Sequence, residues 1–170
     1  VLALSAVLLG SFATPAHAAD VVTTYKDDNG WKLQVNGQDF YAKGVVWSYS
    51  PRGQNYSYNL WGESDDHIRK VLDYDMGLLK AANVNSIRSF AMIPPKWVTY
   101  IYREHGIMFV VNPLMGRYGH DIGGKWVPNT DYSDPLTRAT LKADMLEIVN
   151  RYKDTPGVLM FAFGNESNYG

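Results

Sequence analysis

Apolar and polar positions follow three different rhythms along this chain, and each predicts a different element. Residues 23–26, 31–35 and 39–42 are short, half-polar runs separated by Asp28-Asn29-Gly30 and Asn36-Gly37, both strong hairpin signals, so residues 19–43 read as a small antiparallel β lead-in. Gly44-Val45-Val46-Trp47 is then a short buried-strand pattern, and residues 48–64 form a loop too rich in Gly, Asn and Ser for a helix. Asp65 or Asp66 caps a helix whose apolar positions Ile68, Val71, Leu72, Met76, Leu79 and Ala82 keep the 3.6-residue period. Gly77 costs that helix about 1 kcal/mol. Residues 86–92 read as a strand. Pro94-Pro95 opens a second helix over 96–105 that Gly106 closes, and 107–112 is the next strand. A loop over 113–133 leads to Asp134-Pro135, the N-cap and first residue of a third helix with Leu141, Met145, Ile148, Val149 and Tyr152 on one face. That helix stops before Thr155-Pro156-Gly157, and 158–163 is a fully apolar run ending in Gly164-Asn165-Glu166-Ser167-Asn168.

Strands apolar on both faces that alternate with amphipathic helices predict a parallel sheet covered by helices. A (β/α)8 barrel and a doubly wound sheet both satisfy this. The first strand-to-helix junction has no G-x-G-x-x-G turn, and no G-x-x-x-x-G-K-[ST] occurs, so the nucleotide-binding versions lose their main support. Polar and aromatic residues gather in the loops that follow strands, which form the functional face of a barrel.

Net charge is −1 and no Lys/Arg-rich run occurs, which gives no electrostatic footprint for nucleic acid or an anionic membrane. Cysteine is absent, so disulfides and thiolate metal sites are excluded and the compartment must be read elsewhere. Residues 1–12 are apolar and lead to Ala16-His17-Ala18, an A-x-A cleavage pattern. A run this short does not span a bilayer, and residues 1–18 are read as a secretory signal peptide, which makes the mature protein secreted or periplasmic and free of the membrane. The chain opens at Val1 without a basic stretch, so that signal reads as clipped at its start.

Among ionisable residues Glu166 stands out, because it follows an apolar strand between Asn165 and Ser167, where a partly desolvated, hydrogen-bonded carboxyl would serve as a general acid. Arg88 lies inside an otherwise apolar strand, where a guanidinium calls for a carboxylate partner. Asp65-Asp66-His67 is explained by helix capping, and no metal site or cofactor is expected. His105 sits at a helix end, and His120 and Asp121 lie in a loop that is either simply solvated or binds sugar hydroxyls.

Taken together, these residues resemble a known group. Val84-Asn85-Ser86-Ile87-Arg88 resembles the N-x-I-R strand of clan A glycoside hydrolases, and Gly164-Asn165-Glu166 resembles their G-N-E. Val35-Asn36-Gly37 through Phe40-Tyr41-Ala42-Lys43-Gly44-Val45 is similar to the segment entering the barrel in family 2 catalytic domains and in fungal-type glucanosyltransferases. The resemblance implies an α/β fold, a (β/α)8 TIM barrel of which residues 44–170 supply about the first four β/α units. It implies a retaining mechanism on β-linked poly- or oligosaccharide, by hydrolysis or transglycosylation. Glu166 is then the acid/base, Asn165 binds the sugar 2-hydroxyl, and Arg88 neighbours a nucleophile about 5–5.5 Å from the acid/base. In clan A that nucleophile is on the seventh strand, so it is expected outside this sequence, and the chain is expected to be a fragment that is inactive alone. Carbohydrate-binding candidates are Asn112 and the stacking platforms Trp47, Tyr49, Trp61, Tyr118 or Trp126. The readings left beside this one are a non-catalytic glycan-binding protein on the same fold, and a doubly wound protein unrelated to sugars.

Overall fold

The computed structural model describes residues 19–167, so the expected signal segment 1–18 and Asn168 lie outside the described residues. The chain opens with strands β1 (Val22–Asp27), β2 (Gly30–Val35) and β3 (Gln38–Asp39), an antiparallel sheet in the order β1-β2-β3. Its second turn is Asn36-Gly37, with φ of 52° and 78°, the two left-handed residues that a tight hairpin turn matching the strand twist requires. The third strand is shorter than the sequence predicts, because after Phe40, whose amide still donates to Leu33, residues 41–43 leave the hairpin to enter the main sheet. Asn85 steers that entry: its side chain accepts from the Lys43 amide at 2.8 Å and donates to the Tyr41 carbonyl at 2.9 Å. The Asn of N-x-I-R thus serves as a backbone clamp.

Asp20 ties this lead-in to the body. Oδ1 accepts from Asn36 Nδ2 and from the Tyr102 hydroxyl, each at 2.8 Å, and Oδ2 accepts from the Gly157 amide at 2.8 Å. Burial pushes the Asp20 carboxyl up, but the hydrogen bonds from Gly157, Asn36 and Tyr102 outweigh it and hold it below its ordinary value of 3.8. Burial and the same contact push the Tyr102 hydroxyl up to about 12. A carboxyl lowered by folding stabilises the fold above its unfolded pKa and loses that contribution as pH falls through the folded value. Asp20→Asn is therefore expected to lower the melting temperature at neutral pH, by about 1–2 kcal/mol of stability for this partly solvated group. The gap should close on titration below about pH 4, as followed by thermal melts; a gap independent of pH would show that the charge is not what matters.

The body alternates strands and helices: β4 (Gly44–Val46), a 3-10 turn at Leu60–Gly62, α1 (Asp65–Ala81), β5 (Ser86–Arg88), α2 (Pro95–His105), β6 (Met108–Val111), the hairpin β7 (His120–Ile122) and β8 (Lys125–Val127), α3 (Pro135–Tyr152) and β9 (Val158–Phe161). Ser64, not Asp65 or Asp66, caps α1 by accepting from the His67 amide at 3.3 Å, while both aspartates sit in the first turn and complement the helix dipole. Asp134 caps α3 as the sequence predicts, accepting from the Thr137 amide at 2.6 Å. Gly106 ends α2 in the left-handed conformation at φ 69°.

β4, β5, β6 and β9 form one parallel sheet in that sequential order, with a register irregularity at Phe109/Val110. Because successive residues of a strand point to opposite faces, the register separates two rows. Ile87, Phe109 and Val158 lie on the face that packs with Ile68, Leu72 and Met76 of α1, Trp97, Val98 and Ile101 of α2, and Tyr152 of α3 in one core. Val46, Arg88, Val110 and Met160 form the opposite row, with Val46 and Met160 exposed. Sequential parallel strands joined by crossovers of one hand place every helix on the same side, which leaves the other side of the sheet uncovered. The strands are shorter than the apolar runs: residues 89–92 leave the ladder after Arg88, and the predicted loop 113–133 contains the hairpin of β7 and β8. That hairpin is hidden in the sequence because its runs are three residues each, with a single apolar residue on β7 and two on β8.

Candidate functional site

The carboxyl ends of parallel strands are where the residues of interest converge, as they do in open and closed α/β sheets. Trp47 follows β4, Ser89 and Phe90 follow β5, Asn112 follows β6 and Asn165 and Glu166 follow β9. Arg88, the last residue of β5, reaches past β6 and donates from Nη2 to Asn165 Oδ1 at 2.5 Å. Arginine offers donors only, so Asn165 must present its oxygen to Arg88, and its Nδ2 is left as a donor for a ligand. The guanidinium also lies 4.9 Å from the Phe90 ring centroid, within cation–π range.

The expected carboxylate partner of Arg88 is not found among the described residues. An amide oxygen takes its place, none of the ion pairs there involves Arg88, and its Nε is buried without a partner. A half-buried cation with a donor to spare favours an anion beside Asn165.

Glu166 is not partly desolvated as the sequence suggests. It is exposed, and none of the hydrogen bonds among the described residues reaches its side chain. The reason is position: β9 is an edge strand of the sheet, so a residue just beyond its carboxyl end has a neighbouring strand on one side only. Its backbone is nevertheless unusual. At φ 51° Glu166 is one of four non-glycine residues among the described residues in the left-handed region, a conformation that costs an L-residue about 1–2 kcal/mol and that gathers at functional sites.

What holds that turn is Asn112. Its Nδ2 donates to the carbonyls of Ala162 at 2.5 Å and Gly164 at 2.8 Å, while the amides of Ala162 and Gly164 donate to Val111 and Pro113, each at 2.9 Å. Asn112 is fully buried and thus works as a strut under the segment bearing Asn165 and Glu166, rather than as the open sugar-binding group the sequence suggests. Nothing in a lone Asn at a strand end signals this; the signal is the pairing of two strand extensions, which only the register reveals. Asn112→Ala should strand two carbonyls and loosen the turn. Amide hydrogen exchange at Asn165 and Glu166 is expected to speed up in this variant, and exchange unchanged from the parent protein would contradict the strut.

Of the aromatic candidates, Trp47, Tyr49, Trp61 and Tyr118 line one cleft of about 530 Å³ together with Tyr58 and Phe90. They are not equivalent. Trp47 is buried in the core, its Nε1 donates to Asp75 at 2.9 Å and its ring lies 6.4 Å from Trp61, so most of it is structural. Tyr49 and Tyr58 meet edge-on at 5.9 Å, and Tyr58 donates to Glu63 at 3.0 Å. Burial and that carboxylate hold the Tyr58 hydroxyl above its ordinary pKa. Tyr56, Tyr118 and Phe90 are the exposed rings of the cleft. Trp126, on β8, is outside this cleft, and its ring lies against Gly119, where any side chain would clash with it. Asn112 and His120 line a neighbouring cavity of about 360 Å³ that shares Phe90 and Leu114 with the cleft. Sequence reasoning passes over Phe90 and Tyr58, whose placement depends on where β5 ends and how the loop over 48–64 folds back.

No family model and no curated protein matches this chain. Solved structures do. A beta-glucuronidase of Parabacteroides merdae, with glycerol in its active site, superposes with a TM-score of 0.56 at 16% identity, covering 87% of this chain and 16% of its own. An exo-chitosanase of Amycolatopsis orientalis, in complex with PNP-beta-D-glucosamine, gives a TM-score of 0.53 at 16% identity over 84% of this chain and 15% of its own. The likeness is one of fold, and this chain spans less than a fifth of either neighbour.

Proposed function

We propose that this chain carries the acid/base half of a retaining glycosidase or transglycosylase acting on β-linked poly- or oligosaccharide, in a (β/α)8 barrel that it begins. The observation that carries the reading is the Arg88–Asn165 contact at 2.5 Å, which sets a sugar-hydroxyl donor beside Glu166 at the carboxyl ends of a sequential parallel sheet. The barrel is supported by the same sheet: helices on one face, Val46, Val110 and Met160 with the lone charge of Arg88 on the other, and edges at β4 and β9 that further strands can extend. The fold neighbours are both glycosidases, which supports the chemistry without assigning the sugar.

In this reading Glu166 protonates the leaving glycosidic oxygen and then takes a proton from water or an acceptor sugar. Asn165 Nδ2 holds the 2-hydroxyl, and Arg88 keeps Asn165 oriented and stabilises an anionic nucleophile contributed by a later strand. The apolar residues 1–12 and Ala16-His17-Ala18 support export before the enzyme acts. The test is turnover of aryl β-glycosides by the full-length gene product. Hydrolysis with retained configuration supports the enzyme; sugar binding without turnover would favour the glycan-binding reading.

A further inference from the structure

We infer that the aromatic cleft is a subsite for an uncharged sugar ring at least one unit away from the bond being cut, so that the enzyme selects neutral oligosaccharides and handles monosaccharide glycosides poorly. This rests on the glycosidase reading and adds to it the charge and length of the substrate.

The first observation is electrostatic. Every residue lining the cleft is neutral: the walls include the rings of Tyr49, Tyr56, Tyr58, Trp61, Phe90 and Tyr118, and the polar groups between them include hydroxyls of serine and tyrosine and the Asn59 amide. A carboxylate or ammonium on a sugar would give up water there and meet no oppositely charged side chain in the lining, since Arg88, Arg117 and Glu63 lie behind the aromatic walls, a loss that selects against it. Hydroxyls both donate and accept, and ring faces take the C–H face of a pyranose, which is the complement of a neutral sugar. The volume of about 530 Å³ is ample for a sugar ring.

The second observation is positional. Arg88, Asn165 and Glu166 do not line the cleft. Phe90 forms the wall on that side, with the Arg88 guanidinium 4.9 Å from its ring centroid. A sugar seated between Phe90 and Tyr118 is therefore a neighbour of the reacting unit. Tyr118 makes a good stacking platform because it is 57% exposed and the Arg117 guanidinium, 5.2 Å from its centroid, braces the ring.

The experiment compares the full-length gene product on β-linked oligomers of two to six units: cello- and laminari-oligosaccharides as neutral probes, chitosan oligomers as cationic and oligoglucuronides as anionic ones. We expect kcat/KM on the better neutral series to rise with length and to exceed both charged series at least about tenfold, a difference of ~1.4 kcal/mol. Tyr118→Ala should remove the gain from added length, about tenfold, while the shortest substrate loses far less. Ser48→Lys, at an exposed position on the cleft, should move preference toward the anionic series. If neutral oligomers are cleaved but neither length nor Tyr118→Ala matters, the subsite is wrong and the glycosidase reading stands. A preference for a charged series overturns the neutrality. If no oligomer is bound or cleaved, the glycosidase reading itself fails and takes this inference with it.

Discussion

Under the proposed acid/base mechanism, Glu166→Ala in the full-length gene product should lower turnover by about 10²–10⁴-fold on substrates with poor leaving groups and far less on activated aryl glycosides. The asymmetry follows from the role. A leaving group that departs without protonation does not need the acid, so only the second step, in which Glu166 acts as base, remains impaired. Azide needs no base and should restore turnover. Fold stability should change little, within about 0.5 kcal/mol, because the side chain is exposed and no hydrogen bond among the described residues depends on it. Glu166→Gly sharpens the point: it relieves the backbone at φ 51° and should raise stability by about 1 kcal/mol while abolishing acid catalysis. A residue that weakens the fold and serves the reaction is the pattern the strain suggests. Loss of activity independent of leaving group would remove Glu166 from the role.

Arg88→Lys should have the next largest effect. The guanidinium makes a charge-assisted hydrogen bond to Asn165 and stacks on Phe90 at once, and a lysine ammonium keeps the charge without the planar fork. A hydrogen bond from a charged group contributes about 1.5–3 kcal/mol, so kcat/KM should fall about 10- to 100-fold. If the loss arises because Asn165 is no longer held, then Asn165→Ala and Arg88→Lys will not add. A double-mutant cycle should give a coupling of about 1 kcal/mol or more, and additive losses would show that the two residues act separately.

Much of the framework is legible in the sequence because it rests on local physics. The Asn36-Gly37 turn, the Gly106 helix end and the Asp134 cap each need one residue type at one place, and the 3.6-residue period of α1 and α2 appears directly as buried positions. Strand ends are not legible. An apolar run continues past the last ladder bond, and only pairing tells where β5 stops and Phe90 becomes a cleft wall. The hairpin of β7 and β8 escapes because each of its runs is three residues long, too short for an alternating pattern to show.

The site is legible in its members and not in their contacts. Arg88 and Asn165 stand out in the sequence as separate motifs, seventy-seven residues apart, and their contact exists only because β5 and β9 flank β6. Asn112 has the position of a sugar ligand at a strand end, yet its burial and its two carbonyl partners make it a strut. Trp47 has the chemistry of a platform and is largely core, since its ring fills the space between β4 and α1.

The most direct test of the retaining acid/base mechanism is the configuration of the product when Glu166→Ala is rescued with azide. Attack on a glycosyl-enzyme intermediate from the face Glu166 has vacated predicts a β-glycosyl azide from a β-glycoside, read by the anomeric proton coupling in NMR. An α-azide would place Glu166 on the opposite face as the nucleophile, and no azide adduct at all would contradict the mechanism.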